Sequence, residues 1–231
     1  MTVVAATGPS AYWYLTRGTG TVALLLLTAT TLLGVAGTTR WSASGLPRSV
    51  VAALHRNLTL IAIVFVGIHV VTTVADGFAP IRLRDAIVPF LSPYRPFWLG
   101  LGAVAFDLLL AIAITSLLRV RLGLRIWRSV HWLAYATWPV ALVHSLGTGS
   151  DARSGWLELL ALASLAAVAL AAALRVFTMH EVRPPYRVAA AVAVVSVPLA
   201  LVGWYRVGPL RSGWAAHSGT PTRLLAHRSR R

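Results

Sequence analysis

Four histidines stand at spacings that could do metal chemistry. The stretch LHRNLTLIAIVFVGIH, residues 54–69, holds His55 and His69 fourteen residues apart in an otherwise apolar run. The stretch VHWLAYATWPVALVH, residues 130–144, holds His131 and His144 thirteen apart in another. On a helix these spacings span about 21 and about 19.5 Å, most of the ~30 Å apolar thickness of a bilayer. Fourteen steps of about 100° fall about 40° short of four turns, so His55 and His69 share a face. Thirteen steps leave about 140° of offset. Pro139 lies between His131 and His144, and a proline can kink a helix and re-aim the residues beyond it. If both runs cross a membrane in the same direction, His55 pairs with His131 near one surface and His69 with His144 near the other.

Ionisable side chains inside membrane helices are costly and mark functional sites. Two imidazoles at one depth suit an iron with one open position on each face, as in haem b. Two such haems stacked across the bilayer would form an electron wire. Four histidines that hydrogen-bond between helices are the alternative. Zinc would need clustered ligands with a carboxylate or thiolate nearby, and the two pairs are too far apart to share one ion.

The elements that must position these rings are membrane helices. The 231 residues are 57% hydrophobic and 12% charged, with a mean hydropathy of +0.73; soluble domains carry about a quarter charged residues. The net charge is +15 and all 21 basic residues are arginine. They sit in short segments between apolar runs, where charge sets membrane topology, so nucleic acid is not an expected partner and membrane lipid is. The absence of cysteine excludes disulfides and cysteine-ligated zinc or iron–sulfur centres.

Six runs are long enough to span a bilayer: Tyr12–Val35, Ser49–Ala75, Phe97–Leu118, Ile126–Leu146, Gly155–Met179 and Val188–Tyr205. The expected fold is an all-α integral membrane protein, a six-transmembrane-helix bundle with haem b between helices 2 and 4. Residues 1–10 form an N-terminal segment and 11–179 the domain of helices 1–5. Residues 180–207 hold a loop and the sixth helix, and 208–231 a polar basic tail. The first run lacks a clear small-residue cleavage site and reads as a retained span.

Arg40, Arg48, Arg119, Arg121, Arg125, Arg128, Arg175, Arg183 and Arg187 flank one set of helix ends, with Glu181 the one acidic residue among them. Arg82, Arg84, Arg95 and Arg153 on the other side are offset by Asp76, Asp85 and Asp151. The first set reads as cytoplasmic, which puts both termini outside. Arg211, Arg223, Arg228, Arg230 and Arg231 in the tail pull the other way with less weight.

Arg56, Arg125 and Arg128 could reach an inner haem propionate and Arg17 an outer one, or they snorkel to headgroups. Phe65 and Trp138 lie between the histidine layers and either pack or aid coupling. Gly67, Gly100 and Gly102 could permit close approach of a helix or porphyrin. Asp107 is a lone carboxylate at mid-helix depth and is expected to face the protein interior. His180, His217 and His227 have no partner at matching depth and are not expected ligands. No nucleophile–His–Asp set is present, and six acidic residues in all leave little for paired-carboxylate chemistry.

The two histidine stretches resemble the ferric reductase-like transmembrane domain. That superfamily includes ferric reductases, NADPH oxidases and the haem-binding membrane subunit of the bacterial periplasmic methionine sulfoxide reductase. The spacings of fourteen and thirteen are those of the family's bis-histidine pairs. The resemblance runs from YLTRGTG to about Leu160, and FWLGLGAVAFDLLL and RIWRSVHWLAY are similar to bacterial members. It implies His55 and His131 on an inner haem iron and His69 and His144 on an outer one, in a bacterial plasma membrane. Many members continue into FAD and NADPH domains, but no G-x-G-x-x-G fingerprint occurs here. The resemblance therefore implies a membrane component of an oxidoreductase with a separate donor, a flavoprotein, reductase or quinol, and FMN or FAD only on that partner. The acceptor would be ferric iron, oxygen or an external FMN-binding or redox protein. A cytochrome b subunit of a quinol-linked dehydrogenase and a haem-free scaffold or transporter are the rival readings.

Overall fold

The computed structural model describes residues 10–38, 47–149, 152–178 and 183–226. Residues 1–9 lie outside the described residues, as do Arg40, Asp151, His180, Glu181, His227, Arg228, Arg230 and Arg231. The described chain is all-α, with helices α1 (Ala11–Thr38), α2 (Arg48–Ala75), α3 (Leu83–Ile87), α4 (Pro96–Leu117), α5 (Arg119–His131), α6 (Ala134–Thr148), α7 (Gly155–Phe177), α8 (Pro184–Val207), α9 (Trp214–His217) and α10 (Thr222–Ala226).

Five of these, α1, α2, α4, α7 and α8, are long and apolar enough to cross a membrane. The chain is a multi-pass membrane protein. Large apolar side chains remain exposed on the helix surfaces, among them Leu60, Val64 and Val71 of α2 and Val192, Val195 and Leu199 of α8. Helices apolar on every face are expected where lipid replaces water.

The expected fourth span, Ile126–Leu146, is not a single helix, so five of the six expected spans are helices long and apolar enough to cross. It is divided between α5 and α6, and the 15 residues of α6 fall short of the ~20 a span needs. Gly123, at φ 79° and ψ 157°, separates the first turn of α5 from the rest. After Val130 the chain tightens, with N–H···O bonds from Leu133 to Val130 (2.9 Å), Tyr135 to Trp132 (3.1 Å) and Ala136 to Leu133 (2.9 Å). Bonds between residues three apart make a 3₁₀ turn, which rotates about 120° per residue rather than about 100°. Three or four such residues recover about 60–80° of the about 140° by which His131 and His144 otherwise miss a common face. The tightened turn thus supplies part of the correction sought from Pro139.

α1 and α2 run antiparallel. At their shared end Ser10 Oγ donates to Asp76 Oδ1, and one turn further Thr16 Oγ1 donates to Thr72 Oγ1 at 3.0 Å. α1 also packs along α6 and α7, and α4 packs along α6. α2 shares no such interface with α5 or α6, which carry the other two histidines. Four other threonine hydroxyls of α1 are satisfied within the helix: Thr19, Thr21, Thr28 and Thr31 donate to the carbonyls of Leu15, Arg17, Leu24 and Leu27. Such back-bonding lets threonine enter an apolar helix. The Thr28 oxygen also accepts from the Trp138 indole at 2.9 Å, and around it Leu24, Leu142, Leu146, Ala161, Leu165 and Tyr205 form the core. Trp138 is therefore a core brace between α1 and α6.

Within the expected polar basic tail, the stretch from Gly208 to Thr220 folds back on the bundle. Pro209 is fully buried, and the Trp214 indole donates to the Gly147 carbonyl at 3.0 Å. Arg95, 5% exposed, is the tie. Its Nη1 donates to the carbonyls of Gly147 (3.1 Å) and Thr148 (3.0 Å), and its Nε donates to Thr220 Oγ1 at 2.9 Å. A guanidinium at the C-terminus of α6 also meets the negative end of the helix dipole. Arg95→Ala is expected to destabilise the protein by about 2–3 kcal/mol, the worth of charged hydrogen bonds to carbonyls left without a donor. Thermal unfolding in detergent checks the size, and faster tryptic cleavage at Arg211 and Arg223 checks the place.

Candidate functional site: two layers of paired histidines

The structure brings together the four histidines as two pairs. His55 and His131 have ring centroids 6.3 Å apart with planes at 70°. His69 and His144 are 6.4 Å apart with planes at 83°. All four rings are half-buried.

Three of the rings are held in the same way. His55 Nδ1 lies 2.9 Å from the Thr30 carbonyl, His69 Nδ1 2.8 Å from the Thr16 carbonyl and His144 Nδ1 2.9 Å from the Trp98 carbonyl. A carbonyl oxygen only accepts, so in each case Nδ1 carries the proton and donates it. That fixes the tautomer and leaves Nε2, on the far edge of the ring, with its lone pair free.

Each carbonyl lies four residues before a glycine on the same helix. A Cβ on Gly20 would stand 2.8 Å from His69 Nδ1, one on Gly34 3.4 Å from His55 Cε1, and one on Gly102 2.4 Å from His144 Cε1. The glycines open the notch and the carbonyl one turn back receives the ring. Thr16 with Gly20 and Thr30 with Gly34 are themselves fourteen residues apart, the same separation as His55 and His69. On antiparallel neighbours this repeat sets both rings at once. Gly20, Gly34 and the three carbonyl residues were missed from sequence, although the matching interval was a legible signal. Gly102 fulfils the role expected of it, whereas Gly67 has nothing within 4 Å and Gly100 makes room for Phe90.

The remaining candidates scatter. Arg56, Arg125 and Arg128 are exposed, and the latter two line an open cleft with Leu124, Ser129 and Trp132. The Arg17 guanidinium lies over the Trp13 ring, 3.9 Å from its centroid. Phe65 and Asp107 are half-buried in α2 and α4. His217 is exposed on α9, with Nδ1 against its own Gly213 carbonyl at 2.9 Å. Among the described residues no three His, Asp or Glu side chains converge as a metal site would require; the histidines meet in twos.

The family model described as ferric reductase like transmembrane component matches residues 19–143, more than half of the chain. The chain belongs to the ferric reductase-like transmembrane family. The match takes in α1 from its third turn through the first two thirds of α6, with His55, His69 and His131 inside it and His144 one residue beyond. Family membership assigns the chain, in general terms, to transmembrane electron transfer. No curated protein and no solved structure matches it.

The notches are testable as packing. Gly20→Ala and Gly102→Ala each place a methyl group inside a histidine ring's space and are expected to cost about 1–3 kcal/mol. Gly18→Ala, on the same helix as Gly20 with nothing within 4 Å, is expected to be neutral or to gain up to about 1 kcal/mol. Thermal unfolding midpoints check this: both notch variants fall below wild type and Gly18→Ala does not.

Proposed function

We propose that the chain is a membrane cytochrome b that carries electrons across the bilayer through two bis-histidine b-type haems. His55 and His131 would hold one iron and His69 and His144 the other. The observation that carries this reading is the separation of the paired rings. An imidazole nitrogen sits about 2 Å from a bound metal and the ring centre about 1 Å further, so two imidazoles on opposite faces of one ion have centroids about 6–6.5 Å apart. Both pairs fall in that range. Three Nδ1–H groups committed to carbonyls add support, since metal-ligating histidines donate their other N–H to an outer partner. α2 has no packed interface with α5 or α6, so the two rings of each pair face one another without a close helix–helix contact between their helices.

The haem would supply the one-electron chemistry. What the chain supplies is position and environment. Thr16, Thr30 and Trp98 hold the imidazoles in the ligating tautomer, and the hydrogen bond to a carbonyl makes each a stronger electron donor. The fourteen-residue interval on α2 sets the layers about 21 Å apart along the helix. α1 packs along α2 and α4 along α6, so these helices flank two of those that carry the histidine layers. Exposed Arg119, Arg121, Arg125 and Arg128 gather at the His55/His131 end, so that end faces the cytoplasm of a bacterial plasma membrane. Electrons would enter there from a separate flavoprotein, reductase or quinol. They would leave at the His69/His144 end to ferric iron, oxygen or a redox protein.

The test is haem content. Purified wild type is expected to bind about two b-type haems per chain, and His69→Ala and His131→Ala about one each, read from oxidised and dithionite-reduced spectra against protein concentration. A wild type that binds no haem when expressed with adequate haem supply rules the reading out.

A further inference from the structure

His131 is held differently from its three counterparts. Its Nδ1 is buried with no hydrogen-bond partner, and no described glycine opens a notch for its ring. The register explains why. Fourteen residues on from Trp98 and Gly102, the carbonyl and notch that receive His144, stand Ile112 and Ser116. A serine fills the place where the other sites have glycine. Its hydroxyl accepts instead from the indole of Trp127, with Nε1 3.2 Å from Ser116 Oγ. Trp127, one turn before His131, lays its ring against the imidazole, with centroids 4.9 Å apart and planes at 29°. His131 is also the last residue of α5, at the tightened turn that joins it to α6.

We propose that Trp127, pinned by Ser116, is the positioning residue for His131, doing by stacking what a carbonyl does for the other three histidines. This rests on the two-haem reading. Its consequence is an unequal pair of layers. The His55/His131 layer has the less firmly held ligand and is the layer that opens to a small neutral π-acceptor ligand when the stack is lost. With haem bound as proposed, loss of the stack would weaken the hold of His131 on the iron, and carbon monoxide would compete with that imidazole for its coordination position; one metal–nitrogen bond would be exchanged for one metal–carbon bond, and no covalent bond of the chain changes.

Carbon monoxide is the probe, added to the dithionite-reduced protein in wild type, Trp127→Leu, Trp127→Phe and Ser116→Ala, each also in a His69→Ala background that keeps only the His55/His131 layer. Trp127→Leu is expected to speed carbon monoxide binding at one haem per chain by about three- to tenfold, the worth of an aromatic pair, and to do so in the His69→Ala background too. Trp127→Phe keeps a ring in the stack and is expected to stay near wild type. Ser116→Ala, which frees the indole but spares the stack, is expected to fall between them. Unchanged carbon monoxide kinetics in Trp127→Leu, or a change confined to the His69/His144 layer, overturns the proposal and leaves the two-haem reading standing. A wild type without haem overturns both.

Discussion

A neutral imidazole has one N–H and one lone pair, and the structure turns on where the N–H goes. In His55, His69 and His144 it goes to a backbone carbonyl of a neighbouring helix. That bond fixes the tautomer, aims the free nitrogen away from the carbonyl, and satisfies a polar group that lipid could not. The neighbouring helix must come close enough for the bond, and glycine is what lets it. Helix pairing, glycine placement and ring orientation therefore follow from one requirement.

The requirement also explains the pairing pattern of the bundle. α1 packs along α2 and α4 along α6 because each offers carbonyls to the histidines of its partner. α2 is left without a packed interface to α5 or α6, and the rings approach across that space to 6.3 and 6.4 Å. Trp138 braces α1 against α6 through Thr28, and Arg95 binds the end of α6 to the returning segment near Gly219 and Thr220. These contacts tie the two halves together away from the histidine rings. One position departs from the rule, and there a serine and a tryptophan replace the glycine and the carbonyl.

Much of this was legible in the sequence, because side-chain type and interval carry it. His55, His69, His131 and His144 announce themselves by type, and α1, α2, α4, α7 and α8 by apolar length. The receiving carbonyls were not legible as such, since every residue has one; only the fourteen-residue echo of Thr16 and Gly20 in Thr30 and Gly34 marks them. The break after His131 was hidden because neither Trp132 nor Leu133 is a helix breaker, and the visible breaker, Pro139, lies further on. The fold-back after Gly208 was hidden for a related reason. It depends on a buried arginine more than fifty residues from the carbonyls it meets, and arginine between apolar runs reads as topology. Arg56, Arg125 and Arg128 are exposed, which leaves the snorkelling reading of those residues intact.

On the proposed two-haem reading each histidine pair would share one iron, and the paired rings are crossed at 70° in one layer and 83° in the other. Low-temperature electron paramagnetic resonance of the oxidised, purified protein tests this most directly. Near-perpendicular axial imidazoles leave the ferric d orbitals nearly degenerate. Two highly anisotropic low-spin ferric signals are therefore expected, each lost with its own histidine pair. High-spin ferric haem, a low-spin signal typical of parallel rings, or no haem signal at all would contradict the assignment.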